Sequence, residues 1–450
     1  MRAVRITALC EQGAACEADF EQILSPEQQR LERVRNGIVA CHVQAYTSTM
    51  NSTDQSNAGR NALNDPVALA DRLAHEFAAT AVERDRRGGT PKAERDAIRA
   101  SGILAMSIPV ELGGWGASWT TTLHAVRTIA RSDGSIAHVF GFQHLLLATV
   151  RLFGTPKQFA DLARSTVANR WFWGNAVNPL DERTTIAPCG EPNSRVLHGE
   201  KSFCSGSHDA DMLVVSARDA ARDSLVIAAI PAQRCGITVR DDWNNMGQRQ
   251  TDSGTVSFND VRVAEDEILS DPGPLGNIFA TLRPLIAQLS LCNVYLGIAE
   301  GAFGAARHVI RQRSRAWHAS SVSRVEDDPY VLSTLGDLSV ALESARQVTD
   351  AAAARLDRSW DRGMQLTESE RGECAWSIAI AKVVTTQSGL EVTNRIFEAA
   401  GARATTAPLG LDRYWRDLRT HTLHDPVDYK RRELGRNALT GEWPQPSFYS

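Results

Sequence analysis

The densest group of ionisable side chains lies in residues 413–430, RYWRDLRTHTLHDPVDYK. Asp425 and Pro426 predict a helix start, because an N-cap Asp accepts unpaired backbone N–H groups and Pro fits the first helical position. Asp428 adds negative charge to the first turn, which the helix dipole favours. His424 then precedes a helix N-terminus, whose partial positive charge disfavours imidazolium. We expect a neutral imidazole that donates or accepts one hydrogen bond at neutral pH.

Two plainer interpretations of this segment remain open. His421 and His424 are also compatible with ordinary polar loop residues, because loops are the parts of a chain that face water. A zinc site on this His-x-x-His pair is less favoured, since no Cys, Glu or further His lies nearby to complete a tetrahedral set. We therefore predict no metal site.

The composition is that of an ordinary soluble globular protein, with 43% hydrophobic and 23% charged residues. A formal net charge of −4 gives no electrostatic case for nucleic acid or an anionic membrane as a partner. No apolar run approaches the roughly 18 residues of a spanning helix, and the first residues lack the apolar core of a signal peptide. The eight cysteines form no Cys-x-x-Cys pair, which suits reduced thiols. We expect a cytoplasmic protein of two or three domains.

The hydrophobic periodicity changes along the chain and divides it into four segments. Residues 1–63 contain a polar run and are predicted to be a loosely ordered N-terminal extension. Residues 64–170 have helical spacing, with Asp65 as the cap of the first helix. Residues 171–275 contain short β-branched segments bounded by Gly, Asp and Asn, which is typical of antiparallel strands. Residues 276–450 return to long helical patterns with short turns, which indicate a helical bundle.

That order of segments resembles the acyl-CoA dehydrogenase fold over roughly residues 65–445. The resemblance is carried by WFWGNAVNP (171–179), GEKSFCSGSHDADMLVV (199–215) and MGQRQTDSGTVSFNDVRV (246–263), which are similar to the flavin-contacting strands of that superfamily's middle domain. It implies an α+β, mainly α, architecture. The parts expected are an N-terminal helical domain, a middle antiparallel β-barrel or sandwich domain, and a C-terminal four-helix bundle.

Within that superfamily, the chain resembles most the flavin-dependent monooxygenases of the dibenzothiophene monooxygenase family. The motifs are His138-Val-Phe-Gly-Phe142, FCSG (Phe203–Gly206), DDWNNMGQRQTDSG and THTLHDPVDYK. Phe142 departs from the pattern, because Tyr is expected there in these relatives. The resemblance implies a two-component monooxygenase that uses reduced FMN, forms a flavin C4a-(hydro)peroxide and oxygenates a heteroatom of a small apolar or aromatic substrate. Sulfur is the favoured heteroatom.

The resemblance also assigns residues to the site. The catalytic positions are His424, Ser205, Asn175 and His138, which are neutral hydrogen-bonding groups suited to a dry pocket around the flavin. Taken without the resemblance, His138 is more simply a satisfied core histidine. The implied cofactor-binding positions are Phe142, Asn175, Ala176, Val177, Phe203, Cys204, Ser205, Trp243, Arg315, Ala402, Arg403 and His424. Among these, the two arginines suit the flavin phosphate, because a guanidinium binds phosphate through two parallel hydrogen bonds.

Three rival functions remain. An acyl-CoA dehydrogenase using FAD needs a carboxylate base, but residues 401–432 contain no Glu. Of the four Asp in this segment, Asp425 or Asp417 would have to be an unrecognised base. An N-hydroxylating flavin monooxygenase would share the fold. A catalytically inactive scaffold or flavin carrier is the non-enzymatic alternative.

The chain has no GxGxxG after a predicted strand and no P-loop, so it has no evident NAD(P)H-binding half. We therefore expect reduced FMN to arrive by diffusion from a separate reductase, with O2 and a small molecule as the other reactants. The resemblance favours FMN over FAD and implies a homotetramer.

Overall fold

The computed structural model describes residues 65–450, so the predicted N-terminal extension, residues 1–63, lies outside the described residues. Asp65 caps the first helix as predicted, because its carboxylate accepts the backbone N–H groups of Val67 and Ala68 and Pro66 takes the first helical position. The helices that precede the sheet are α1 (Pro66–Ala78), α2 (Ala81–Arg87), α3 (Lys92–Ser101), α4 (Trp119–Ala130), α5 (Gly134–Phe153) and α6 (Pro156–Asn169).

The β-branched segments form a seven-stranded sheet in the order β1-β4-β2-β3-β7-β6, with β5 paired to β4. Most pairs are antiparallel, as predicted, but β1 and β2 each run parallel to β4. The alternation of side chains in a strand does not encode its direction, so the sequence pattern gave no warning of these two pairs. The strands are β1 (Trp173–Ala176), β2 (Thr185–Pro188), β3 (Ser194–Lys201), β4 (Met212–Asp219), β5 (Ser224–Pro231), β6 (Ile237–Val239) and β7 (Val256–Ala264).

Three long helices after the sheet pack against one another, and two shorter helices pack on them. The last long helix starts with a capping box, in which Thr367 and Glu370 satisfy each other's backbone N–H groups. The helices are α7 (Leu282–Arg313), α8 (Pro329–Arg362), α9 (Glu368–Ala400), α10 (Asp412–His421) and α11 (Val427–Thr440). The predicted fold class, mainly helical with a central β segment, is confirmed; the domain boundaries at residues 170 and 275 stay a prediction.

Two helices, α5 and α7, are long and apolar enough by composition to cross a membrane, contrary to the expectation of no such run. Within their most apolar windows, 94% and 83% of the residues are buried inside the protein. Their apolar side chains therefore form the core, where α5 also carries two of the predicted site residues. The sequence estimate missed them because polar residues interrupt both stretches.

A close approach of α7 to α4 depends on two glycines spaced four residues apart. A Cβ atom at Gly301 would overlap the carbonyl oxygen of Arg131, and one at Gly297 would overlap that of Arg127. Gly304, on the same helix, has open space around it. The contact therefore needs glycine at positions 297 and 301. At Gly304, helix propensity alone decides how a substitution changes stability.

We predict that Gly301→Ala destabilises the protein by about 2 kcal/mol or more, because the helices must separate to admit the methyl group. The matched control, Gly304→Ala, should leave stability unchanged or raise it by about 0.5–1 kcal/mol, since alanine favours a helix. Urea unfolding of both variants measures the difference. Equal stabilities would mean that α4 and α7 do not pack this closely.

Candidate active site

One cavity of about 830 Å³ collects most of the predicted site residues. It lies where α5, the end of β1, the segment before β7 and the turn between α10 and α11 meet. None of the described lining residues is Asp, Glu, Lys or Arg. The lining side chains are His138, Phe142, Asn175, Val177, Asn178, Leu180, Phe203, Ser205, Trp243, Asn244, Asn245, Met246, Gln248, Thr251, Ser253, Thr420, His421, Leu423, His424 and Tyr449.

A chain of hydrogen bonds runs along one wall of the cavity. His138 Nε2 lies 2.9 Å from Ser205 Oγ, which lies 2.7 Å from Ser253 Oγ. Ser253 Oγ lies 2.7 Å from Thr251 Oγ1, which is 3.0 Å from the carbonyl oxygen of Gln248. A carbonyl only accepts, so Thr251 donates to it, and each hydroxyl has one hydrogen to give. The direction is then fixed back to His138, whose Nε2–H donates to Ser205.

The two buried histidines of the cavity are neutral. Burial lowers the pKa of His138 to about 3, and the nearby His424 adds to this effect. Burial also lowers the pKa of His421 well below its usual value, with His138 and His424 contributing. The His138 and His421 rings lie 4.5 Å apart between centroids, in an edge-to-face arrangement. Two uncharged imidazoles therefore face the cavity side by side.

Several polar atoms of the wall have no hydrogen-bond partner within the described part of the chain, residues 65–450. They are His138 Nδ1, His421 Nδ1, Gln248 Oε1 and Thr420 Oγ1, all buried. A buried polar atom without a hydrogen bond costs free energy, so a ligand with donors and acceptors is expected to satisfy them. The edges of a flavin ring carry both kinds of group, and the aromatic side chains Phe142, Phe203 and Trp243 suit its faces. These residues fit the flavin ring, whereas the cavity wall offers no cation for a phosphate.

The turn that carries His424 is built differently from the prediction. α11 begins at Val427, and Asp425 makes no capping hydrogen bond to its N-terminus. Instead, the Asp425 carboxylate lies 3.0 Å from Lys382 Nζ and accepts hydrogen bonds from Gln288 Nε2 at 3.2 Å and His424 Nδ1 at 3.1 Å. The predicted cap is wrong. A buried ammonium without a counter-charge costs much free energy, whereas helix N–H groups at a wet surface can bind water instead of a capping side chain.

The structure brings eight of the predicted site residues to the cavity. Ser205 and His138 are joined by a direct hydrogen bond. His424 is 42% exposed in its side chain and reaches the cavity from the turn. Phe142 packs on the His138 ring, with centroids 4.1 Å apart. The eight are His138, Phe142, Asn175, Val177, Phe203, Ser205, Trp243 and His424.

Two other predicted contacts have side chains that point away from the cavity. Ala176 lies between Asn175 and Val177, and the alternation along the strand turns its side chain into the core of the sheet. Cys204 is buried in the same core and donates its thiol hydrogen to the carbonyl oxygen of Lys201. Neither side chain lines the cavity.

The predicted phosphate-binding residues also lie elsewhere on this chain. Arg315 lines a separate cavity formed by residues 311–326, beyond the end of α7. Ala402 and Arg403 are exposed in a short 3₁₀ turn, Ala402–Thr405, that follows α9. None of the three lines the 830 Å³ cavity. Within one copy of the chain, the residues predicted to bind the flavin ring and those predicted to bind its phosphate therefore lie in different places.

Several lining residues were not among the predicted site residues. His421 belongs to the same His-x-x-His pair as His424, so its spacing was a usable signal. Gln248, Thr251 and Ser253 lie in the GQRQTDSG segment, where six consecutive polar side chains precede a strand. Tyr449 comes from the end of the chain, and no local pattern indicates that this end folds back onto the cavity.

Neither acid that might have served as a dehydrogenase base lines the cavity. Asp425 is buried in its ion pair with Lys382. Asp417 is also buried, and its carboxylate accepts the backbone N–H of Gln248 at 2.6 Å. Burial, with Asp85 contributing, raises the pKa of Asp417 to about 7.

The family comparisons agree with this architecture. Residues 67–168 match the model of the acyl-CoA dehydrogenase N-terminal domain, residues 178–261 the middle domain and residues 289–429 the C-terminal domain. The three matched regions follow the order of the helical, β and helical segments described above.

The most similar relatives compared are monooxygenases. The chain is 54% identical to a probable FMNH2-dependent monooxygenase, SfnC, of Pseudomonas putida, over 85% of this chain and 97% of the relative. It is 41% identical to dibenzothiophene monooxygenase of Rhodococcus qingshengii, over 86% and 96%. The solved structure of methanesulfinate monooxygenase MsuC from Pseudomonas fluorescens has 56% identity and a TM-score of 0.85, covering 86% of this chain and all of that one. FMN-bound TdsC from Paenibacillus sp. A11-2 has 42% identity and a TM-score of 0.82 over 86% and 100%.

The buried carboxyl of Asp417 yields a stability prediction. Its pKa of about 7 in the folded state exceeds the value of about 3.9 in an unfolded chain. Between about pH 4 and pH 7 the folded state therefore binds more protons, and this group makes stability fall as pH rises. Asp417→Asn keeps an oxygen acceptor for Gln248 and removes the titration. From pH 5 to pH 8, its stability relative to wild type should improve by about 2–3 kcal/mol.

Urea unfolding of wild type and Asp417→Asn at both pH values measures this change. Using the difference between the two proteins cancels the titration of every other group. A difference that is the same at pH 5 and pH 8 would mean that the carboxyl titrates in its ordinary range.

Proposed function

This chain belongs to the acyl-CoA dehydrogenase superfamily, among its flavin-dependent monooxygenases, and we propose that it uses reduced FMN and O2 to oxygenate the sulfur atom of a small organic compound. The relatives named above act on sulfur compounds by their names, dibenzothiophene and methanesulfinate. Those at 54% and 56% identity are a probable FMNH2-dependent monooxygenase and a methanesulfinate monooxygenase. We therefore favour a small sulfur compound over a large fused-ring one, with nitrogen as the next heteroatom.

One observation carries the choice of an oxygenase over a dehydrogenase. A dehydrogenase needs a carboxylate placed to remove a proton from carbon, and none of the described residues that line the cavity is acidic. The C-terminal turn presents His424 and His421 instead, while Asp425 behind them is held by Lys382. Imidazoles and hydroxyls suit a site that must hold oxygen species and exclude water.

When bound, reduced FMN supplies the electrons that activate O2. The hydroxyl of Ser205, held between His138 and Ser253, is a fixed hydrogen-bonding group beside the ring position. Phe203 and Trp243 both line the cavity and form an edge-to-face pair with ring centroids 6.1 Å apart, and Phe203 is 61% exposed in this chain. Phe142 stands where a tyrosine was expected and cannot donate or accept a proton, so proton handling falls to the histidines and serines.

The phosphate of FMN needs cations that the described cavity wall lacks. In our proposal, Arg315 and Arg403 of a second copy supply them, within a homotetramer. This accounts for both arginines lying away from the cavity of their own chain. A separate flavin reductase delivers the reduced FMN by diffusion, and the cytoplasm is the proposed location.

The test is an assay with a flavin reductase, NADH, FMN and isotopically labelled O2. Its substrates would be methanesulfinate, sulfones, thioethers, dibenzothiophene and amines. We expect labelled oxygen in at least one sulfur product, with no NADH oxidation when the reductase is omitted. Oxidation of NADH by this protein and FMN alone would contradict a two-component enzyme. Anaerobic bleaching of bound FAD by acyl-CoA compounds would favour the dehydrogenase instead.

We predict that His424→Ala keeps the fold and FMN binding but loses coupling. A proton-handling side chain contributes about 10²–10⁴-fold to its step, so product formed per O2 consumed should fall at least tenfold while H2O2 rises. The matched control is His308→Ala, which removes an exposed imidazole from α7, away from the cavity. Unchanged coupling in His424→Ala would remove His424 from the mechanism.

A further inference from the structure

The bundle contains a buried lysine that no part of the proposed chemistry uses directly. Lys382 lies in the middle of α9 with its side chain 1% exposed, and its one ion-pair partner among the described residues is Asp425. Its Nζ lies 3.0 Å from Asp425 Oδ1 and 3.1 Å from Tyr295 Oη. Burial alone would lower the pKa of Lys382, but Tyr295 and Asp425 outweigh it and raise that pKa. The ammonium is therefore charged.

The charge on Lys382 fixes the state of Asp425. Burial on its own would raise the pKa of Asp425, but Lys382 and then His424 outweigh burial and hold that pKa well below its usual range. The carboxylate is ionised, so it has no hydrogen and only accepts hydrogen bonds. Its Oδ1 lies 3.1 Å from His424 Nδ1, and this contact is a hydrogen bond only if Nδ1 carries the hydrogen.

We propose that Lys382 is a positioning residue that acts through Asp425 to hold a hydrogen on Nδ1 of the His424 imidazole, so that Nε2 is the ring nitrogen that exchanges a proton with the cavity. The inference rests on the proposed function in one respect, the use of His424 next to the flavin. An imidazole in this tautomer presents a hydrogen-bond acceptor at Nε2, and Asp425 stabilises the cation that forms when Nε2 takes a proton. The lysine thus sets the direction in which His424 handles a proton without touching flavin or substrate.

Lys382 also holds the other end of the turn through Tyr295. We call this contact the tyrosine arm and the contact with Asp425 the aspartate arm. Lys382 donates to the Tyr295 hydroxyl, and that hydroxyl donates to the carbonyl oxygen of His421 at 2.8 Å. Gln288 Nε2 donates to the second Asp425 oxygen at 3.2 Å. The tyrosine arm fixes backbone, whereas the aspartate arm fixes an imidazole nitrogen. The two arms therefore separate a structural role of Lys382 from control of the tautomer.

The experiment reads the tautomer of His424 in the resting protein, with no flavin or substrate. 15N-labelled histidine distinguishes a protonated from an unprotonated ring nitrogen, and a His424→Gln sample assigns the signal. In wild type at about pH 8, where an ordinary imidazole with a pKa of about 6.5 is uncharged, we expect a protonated Nδ1 and an unprotonated Nε2. In Lys382→Met, which removes the charge and keeps an apolar chain, we expect a mixture of tautomers and at least a tenfold lower product yield per O2. Tyr295→Phe, which removes only the tyrosine arm, should keep the wild-type tautomer.

Two results would overturn the proposal. One is a protonated Nε2 with an unprotonated Nδ1 in wild type, and the other is an unchanged tautomer in a folded Lys382→Met. If Lys382→Met does not fold, Asp425→Asn replaces it, because its neutral amide can offer either an acceptor or a donor to Nδ1; an unchanged single tautomer there also overturns the proposal. The predicted tautomers without any sulfur oxygenation would support the positioning role and contradict the proposed function.

Discussion

The site depends on one buried ion pair. An ammonium inside a helical bundle is tolerated only with a well-placed counter-charge, and Lys382 obtains it from Asp425 at 3.0 Å. That contact draws the segment between α10 and α11 against the bundle. His421 and His424 are then the ionisable side chains of this turn that line the cavity, and the Asp425 carboxylate behind them is paired with Lys382. The electrostatics of the bundle thus decide which chemistry the turn can perform.

The wall formed by α5 and the segment before β7 is fixed by hydrogen bonds rather than by charge. The carbonyl oxygen of Gln248 gives direction to a row of hydroxyls that ends at His138. Because each member has a single hydrogen to give, His138 Nδ1 carries none, and neither this atom nor His421 Nδ1 has a hydrogen-bond partner among the described residues. A rigid, uncharged wall with vacant acceptors suits a ring whose edges carry donors, and it favours a dry site.

The sequence was sufficient where local rules decide the outcome. The Asp65 cap, the long bundle helices and the mainly helical class followed from periodicity and capping, which act over a few residues. The resemblance to the family then predicted eight site residues that line one cavity. Local rules failed where a distant partner decides the outcome. Asp425 had the position of a helix cap, but Lys382, 43 residues earlier, takes it.

Other misses have equally specific causes. Ala176 and Cys204 stand in the right segments, but alternation along a strand sends their side chains into the core of the sheet. Tyr449 reaches the cavity because the end of the chain folds back, which no pattern of apolar residues predicts.

In our proposal, an imidazole held by a buried ion pair faces the reactive edge of the flavin, where a dehydrogenase has a carboxylate. A crystal structure of the protein with FMN tests it most directly. We expect the flavin ring in the 830 Å³ cavity, with His424 Nε2 and Ser205 Oγ beside its central ring and Asp425 still paired with Lys382. A flavin bound elsewhere, or a carboxylate turned onto that edge of the ring, would contradict it.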